Sequence, residues 1–308
     1  MVPHLGLVCI TNSKAVRYRA ITRKTLLSLP LHEQEDRLLE LYRHNLEVLS
    51  TAIDYCNAHN IKLYRILSQI FPFADTPIGI DILSGLQHEL SAIGQRASHR
   101  GIRMVMHPAQ FVVLNSTSPA VVQNSITNLE MHARILDYLE QPHTPWALIE
   151  IHGGKGNRAA ELIAQIGDLP PNIRTRLVLE NDEHIYGAAE ILAICQAAAV
   201  PMVFDAHHHV CHEKLENFDD PSIAEYVEAA LTTWPHAEWQ LAHISNGRDA
   251  FLDRRHSDLI TTMPAAYQHI PWIEIEAKHK ELAIQQLQKT WLSGAIDQLP
   301  TDDSPQEV

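Results

Sequence analysis

A chain of 308 residues with 45% hydrophobic content can bury a sizeable core without disulfides, and its length suits an α/β barrel, which commonly runs to roughly 250 residues with additions. A formal net charge of −13 argues against non-specific nucleic-acid binding by the surface as a whole. The N-terminus offers only Leu5 to Ile10 as an apolar run, too short for a signal segment, and nothing approaches the ~20 apolar residues of a membrane span, so a soluble, cytoplasmic protein with no membrane partner is expected.

The first predicted strand, His4–Ile10, runs into a stretch from Cys9 to His32 that holds no acidic residue. Lys14, Arg17, Arg19, Arg23 and Lys24 fall within eleven positions of it, a local positive field on an acidic chain; a plain solvated loop is the alternative. Further apolar runs of strand length follow at Ile61–Leu67, Ile102–His107, Ala147–His152, Arg176–Asn181, Pro201–Ala206, Gln240–Ile244 and Trp272–Ala277. Between them the spacing predicts helices at Arg37–His59, Ile82–Arg100, Ala120–Leu139, Arg158–Ile166, Ala188–Ala199, Ser222–Leu231, a weakly marked Asp258–Tyr267, and Lys280–Trp291. Strand then helix, eight times over, predicts a TIM (β/α)8 barrel in a single domain at residues 1–292; a doubly wound open sheet is the runner-up, because alternation does not prove closure. Residues 293–308, acidic and Pro-containing, read as a disordered tail.

Two negative readings narrow the chemistry. No G-x-G-x-x-G follows the first strand, which argues against a dinucleotide site. Gly153-Gly154-Lys155-Gly156 lacks the spacing and the Lys-Ser/Thr pair of a P-loop, although its amides and Lys155 could still meet a phosphate. The four cysteines, Cys9, Cys56, Cys195 and Cys211, show no C-x-x-C spacing and read as reduced packing residues.

Reactive groups of such a barrel belong at the C-terminal ends of its strands. Those ends carry His107, His152, Glu180, Asp205, His243 and Glu276, one imidazole or carboxylate from each of six consecutive strands. His208, three residues past Asp205 in the run Asp205-Ala206-His207-His208-His209, and His256, after the seventh strand, extend the set. That is more N/O donors than one ion takes, so two or three divalent ions are expected, with Mn2+, Zn2+ and Fe2+ all compatible with a set free of thiolates. One layer down, the inward positions are Val105, Glu150, Val178, Val203, Leu241 and Glu274. The two glutamates cannot be apolar filler and are expected to accept from ligand imidazoles or from Arg65.

These residues resemble the UV damage endonucleases, metal-dependent DNA repair nucleases related in fold to endonuclease IV. The resemblance covers most of residues 4–290. It is carried by Met106-His107-Pro108-Ala109-Gln110-Phe111-Val112-Val113-Leu114-Asn115, Ile151-His152-Gly153-Gly154-Lys155-Gly156, Leu179-Glu180-Asn181-Asp182-Glu183, Asp205-Ala206-His207-His208-His209, His256-Ser257-Asp258 and Ile275-Glu276-Ala277-Lys278-His279-Lys280. It implies incision of damaged double-stranded DNA immediately 5′ to a UV photoproduct by metal-activated hydroxide, leaving a 3′-hydroxyl and a 5′-phosphate. It implies one Mn2+ on His107, His152 and Glu180, a second on Glu180, Asp205, His243 and Glu276, and a third involving His208 and His256, with Glu180, His107 and Glu276 central to catalysis. Gln110 and Phe111 match the pair inserted at the lesion, while Asn12, Arg17, Arg19, Lys155 and Lys278 would contact the DNA. Leu241 stands where many members carry a lysine, and Gln69 and Leu7 replace a histidine and an aromatic found in others. A monomer is expected, since DNA must reach an open rim. The alternatives are an endonuclease IV-like abasic-site endonuclease, a sugar isomerase or epimerase of the same barrel class, and a lesion-binding protein without catalysis.

Overall fold

The structure is a computed structural model and describes residues 2–293. Eight short strands, β1 (His4–Val8), β2 (Leu63–Ile66), β3 (Arg103–Met106), β4 (Ile149–His152), β5 (Leu177–Glu180), β6 (Met202–Asp205), β7 (Leu241–Ile244) and β8 (Trp272–Ile275), each pair in parallel with the next. Pairing of His4, Leu5 and Gly6 with Trp272, Ile273 and Glu274 joins β8 back to β1, so the sheet is a closed barrel and the open-sheet alternative falls away. Every expected strand is present, one or two residues shorter at its ends. Gly6 is required inside the barrel, because a β-carbon there would lie 2.6 Å from Leu63 Cδ2.

The barrel interior is filled by Leu63, Val105, Leu148, Val178, Val203 and Leu241, closed at the N-terminal end by Trp146, Trp234, Trp239 and Trp272. Buried Arg103 plugs this end, donating to the carbonyls of Trp146 (2.7 Å), Trp239 (2.9 Å) and Pro145 (2.9 Å), with Trp146's ring 4.9 Å away. A sealed bottom leaves the C-terminal rim as the accessible mouth.

The outer layer consists of α1 (Arg23–Leu27), α2 (Leu31–Ala58), α3 (Pro77–Gly85), α4 (Gln87–His99), α5 (Pro119–Tyr138), α6 (Ala159–Gly167), α7 (Pro171–Arg174), α8 (Ala188–Ala198), α9 (Ala206–Glu213), α10 (Pro221–Leu231) and α11 (Glu281–Leu287). Leu38, Leu41, Tyr42, Leu46, Leu49, Ile53 and Cys56 form the helical stripe by which α2 packs inward.

Four expectations are corrected. The helix expected to begin at Arg37 starts six residues earlier, directly after Pro30, whose fixed φ suits a helix entrance. The helix expected over Ile82–Arg100 begins at Pro77 under a Thr76 cap and breaks between Gly85 and Gln87, where Leu86 leaves helical geometry. No α-helix forms over Asp258–Tyr267; Asn246 Oδ1 accepts from the amides of Thr261 (2.8 Å) and Thr262 (3.0 Å), holding that segment extended until a 3-10 turn at Ala265–His269. Conversely, the stretch after β6 is a helix, with Asp205 capping it by accepting from His208 N at 2.8 Å. Apart from Ser293, the tail expected at 293–308 lies outside the described residues.

Candidate metal centre

In-register pairing of the parallel strands sets His152 beside Glu180 and Asp205 beside His243, so strand-end residues meet at one rim. Glu180, almost fully buried, is the hub. Its Oε2 lies 3.2 Å from His107 Nε2 and 3.4 Å from His152 Nε2. Its Oε1 lies 3.0 Å from His243 Nδ1 and 3.3 Å from His208 Nδ1. Glu276 Oε1 stands 3.7 Å from His243 Nδ1, and its Oε2 is 3.6 Å from His256 Nε2. Three overlapping groups each bring one donor atom per residue within 4.8 Å of the others: His107, His152 and Glu180; Glu180, Asp205 and His208; and Asp205, His243 and Glu276.

Beneath this rim lies a buried polar layer. His243 presents Nε2 to Glu274 Oε2 at 2.7 Å and to Glu150 Oε2 at 3.1 Å, so its two ring nitrogens serve different layers. Arg65 pairs with Glu274 at 2.9 Å and also contacts Glu276. Both interior glutamates thus lie against the partners expected for them; the two carboxylates are fully buried and Arg65 is nearly so.

Electrostatics show what the centre demands. Burial alone would push the Glu180 carboxyl up; His152, His243 and His208 overcome it and hold Glu180 well below the usual carboxylate range. Glu276 is likewise held well below, as Arg65, His243 and His256 outweigh burial. In the same way burial opposes, but neighbouring carboxylates win, at His208 and His243, whose imidazoles are driven well above their ordinary value. Glu150 goes the other way, raised chiefly by burial. Five acids, Glu150, Glu180, Asp205, Glu274 and Glu276, meet a single guanidinium here, so the site draws positive charge. One atom shows the fit to cations directly. Asp205 Oδ1 caps α9, whereas buried Oδ2 has no hydrogen-bond partner among the described residues.

The histidine run after β6 divides its work. His208 faces Glu180, while His207 Nε2 meets the Asp253 carbonyl at 3.0 Å and His209 Nε2 meets Ser222 Oγ at 2.9 Å. His256 stands at the edge: it reaches Glu276 but joins none of the tight donor groups. Glu183, absent from the expected set, approaches His208 Nε2 at 3.7 Å; its place in Leu179-Glu180-Asn181-Asp182-Glu183 was the available signal.

A family model described as UV-endonuclease UvdE matches residues 3–300. The chain belongs to this family. It is 53% identical over 294 residues to the UV DNA damage endonuclease of Nostoc sp., covering 95% of this chain and 91% of that protein. Identity to the UV DNA damage endonuclease of Deinococcus radiodurans is 49% over 289 residues, covering 93% and 95% of the two chains. The crystal structure of SacUVDE superposes with a TM-score of 0.79 at 27% identity, over 93% of this chain and 98% of that one.

Around the UvdE-family rim, Gln110 and Phe111 follow β3, and Phe111 is 59% exposed although an aromatic in such a run is usually core. Asn12, Arg17 and Arg19 are exposed on the loop after β1. That loop is tied down by Glu281, whose carboxylate accepts from the amides of Asn12 (2.6 Å) and Ser13 (2.8 Å). Lys155 is exposed after β4, its backbone amide donating to Asn115 Oδ1 at 2.8 Å, and exposed Lys278 lies 3.6 Å from Asp258. Pro108, Gln110, His152, Lys155, Glu183 and Ile185 line a cavity of about 290 Å3 beside the imidazoles. No helix among the described residues is long and apolar enough to cross a membrane.

Proposed function

We propose that this protein is a DNA repair endonuclease that cuts damaged double-stranded DNA immediately 5′ to a UV photoproduct, leaving a 3′-hydroxyl and a 5′-phosphate. The observation that carries this reading is the convergence of His107, His152, His208 and His243 on the single carboxylate of Glu180, in a chain of the UvdE family.

His107, His152 and Glu180 would hold one divalent ion; Glu180, Asp205, His243 and Glu276 a second; His208 and His256 contribute to a third. Mn2+ is our first choice, with Zn2+ and Fe2+ compatible with imidazole and carboxylate donors. Bound there, such ions supply Lewis acidity that activates water and stabilises charge on the departing oxygen. The chain's own residues do the rest. Glu180 orders the two halves of the donor set, and Arg65 neutralises Glu276 from below. Glu274 and Glu150 turn the Nδ1 edge of His243 toward the centre. Phe111 and Gln110 enter the duplex at the lesion, replacing stacking and pairing for bases already loosened by damage. Asn12, Arg17, Arg19, Lys155 and Lys278 take the backbone, giving an acidic protein a basic face where it meets DNA. Residues 1–292 act as one domain. We read the protein as a cytoplasmic monomer: its four unpaired thiols fit a reducing compartment.

Incubation with UV-irradiated plasmid, with Mn2+ or with chelator, followed by mapping of the nick, tests the reading. Metal-dependent nicks immediately 5′ to photoproducts are expected; cleavage of abasic but not irradiated DNA, or none of either, contradicts it.

A further inference from the structure

The loop between β7 and β8 carries an exposed apolar pair, Phe251 and Leu252, 38% and 43% exposed, which neither the metal centre nor the DNA contacts above use. Single apolar side chains on a surface are ordinary, but this pair sits on a loop built to hold it still. Gly247 and His256 bridge in antiparallel fashion, and Arg248 N donates to Arg255 O at 3.0 Å, closing the base of the loop. Within it Asp253 N donates to Ala250 O at 3.0 Å, while the Asp253 carboxylate accepts from the amides of Asp249 (3.0 Å) and Arg255 (3.0 Å). A β-carbon at Gly247 would collide with the Ala250 carbonyl oxygen, so the turn is packed backbone against backbone. The ring of Phe251 stands edge-on to buried Phe218, 5.4 Å between centroids, which braces the tip from behind.

The loop is rooted in the metal centre. His256 at its base reaches Glu276 at 3.6 Å, and His207, next to His208, meets the Asp253 carbonyl at 3.0 Å. In the closed strand order β7 lies four places from β3, so this tip and Phe111 rise from opposite sides of the mouth. Their neighbours agree: Phe111 lines a cavity with Ile21, Phe73 and Asn128, whereas Phe251 rests on Phe218, between α9 and α10. A strand seated over Glu180 and its imidazoles therefore has an exposed apolar prong on either side.

Charge around the tip selects the partner. Arg255 is engaged by Asp249 (2.6 Å) and Asp253 (2.7 Å), but exposed Arg248 comes only to 4.0 Å from Asp249. Exposed Arg254 makes no ion pair among the described residues and donates to His184 Nε2 at 2.9 Å instead. Apolar side chains flanked by cations free for phosphate match a DNA groove, where such residues wedge between base steps while arginines take the adjoining backbone.

We propose that Phe251 and Leu252 form a second wedge: they enter the minor groove of the duplex beside the lesion, across the metal centre from Phe111, and hold the DNA bent over the mouth, with Arg248 and Arg254 on the adjoining phosphates. The proposal rests on the endonuclease reading.

Binding of a UV-irradiated duplex labelled at both ends for energy transfer tests it, with Tm and solution molar mass measured for each protein. L252S keeps the brace on Phe218 and should hold wild-type Tm, since it alters an exposed side chain. It should bind the irradiated duplex roughly tenfold more weakly, the scale for one leucine removed from an apolar contact, and shift energy transfer toward that of free duplex. Replacing Arg248 and Arg254 together by alanine should make the slope of log K against log salt shallower by about two. The proposal is overturned if L252S binds and bends the duplex as wild type does, if its weaker binding follows a fall in Tm, or if the double arginine variant keeps the wild-type slope. It is also overturned if wild type is a dimer that L252S dissociates, which would assign the apolar pair to a second copy of the chain. A wild-type protein that cuts no irradiated DNA would instead overturn the function on which the proposal rests.

Discussion

His243 sits 2.7 Å from Glu274 through Nε2 and turns its other nitrogen, Nδ1, to the rim. The close approach of Nε2 to the buried carboxylate leaves Nδ1 turned to the rim, and a carboxylate behind a ligand histidine orients and strengthens it when a cation binds. Glu274→Gln should therefore weaken Mn2+ binding by roughly 10–100-fold in calorimetric titration. Unchanged affinity would mean that Glu274 serves Arg65 alone.

Phe111 is 59% exposed and packs little of its ring, so Phe111→Ala should leave Tm unchanged. Binding to UV-irradiated duplex should fall by roughly 1–3 kcal/mol, the range for loss of one base–aromatic stack, while affinity for undamaged duplex changes little. Equal losses on both DNAs would remove Phe111 from lesion reading.

The basic loop after β1 is held at Asn12 and Ser13 by Glu281, and exposed Arg17 and Arg19 extend from it. Replacing both arginines by alanine should make the slope of log K against log salt shallower by about one for each phosphate that an arginine neutralises. An unchanged slope, measured by fluorescence anisotropy across a salt series, would place the DNA elsewhere.

Much of the centre was legible because it lies on strands. Period-two alternation and the strand-end rule together pick out His107, His152, Glu180, Asp205, His243 and Glu276, and one step back along the strands they pick out Glu150 and Glu274. Residues placed by loops were harder to read. Helix α9 is absent from the expected helices because its cap is Asp205, a residue already claimed for chemistry; with the helix in place, His208 of the run turns toward Glu180. The segment 258–264 owes its extended path to Asn246, a contact that no local pattern encodes. The positive φ of Lys280 and the capture of the basic loop by Glu281 are tertiary facts with no signature of their own.

His132, on α5, is fully buried, with Nδ1 2.7 Å from the Asn128 carbonyl and Nε2 3.1 Å from Ser68 Oγ. Burial pushes its pKa down to about 4; the bond to Asn128 opposes this, and His107 adds to it. The folded state therefore holds a neutral ring while the unfolded chain takes up a proton below about 6.5, so stability is complete above that pH and drains away toward pH 4. Between about pH 6.5 and pH 5 the wild type should lose about 2 kcal/mol more than His132→Gln in chemical denaturation. Parallel losses in the two proteins would show that His132 titrates normally.

The most direct test is a crystal of the full chain soaked in Mn2+, with anomalous scattering recorded at the manganese edge. Two or three peaks should surround Glu180, each touching donors from among His107, His152, Asp205, His208, His243, His256 and Glu276, and those contacting Glu180 should weaken in Glu180→Gln. No peak at this rim, or peaks only at surface carboxylates, would contradict the convergence on which the endonuclease reading stands.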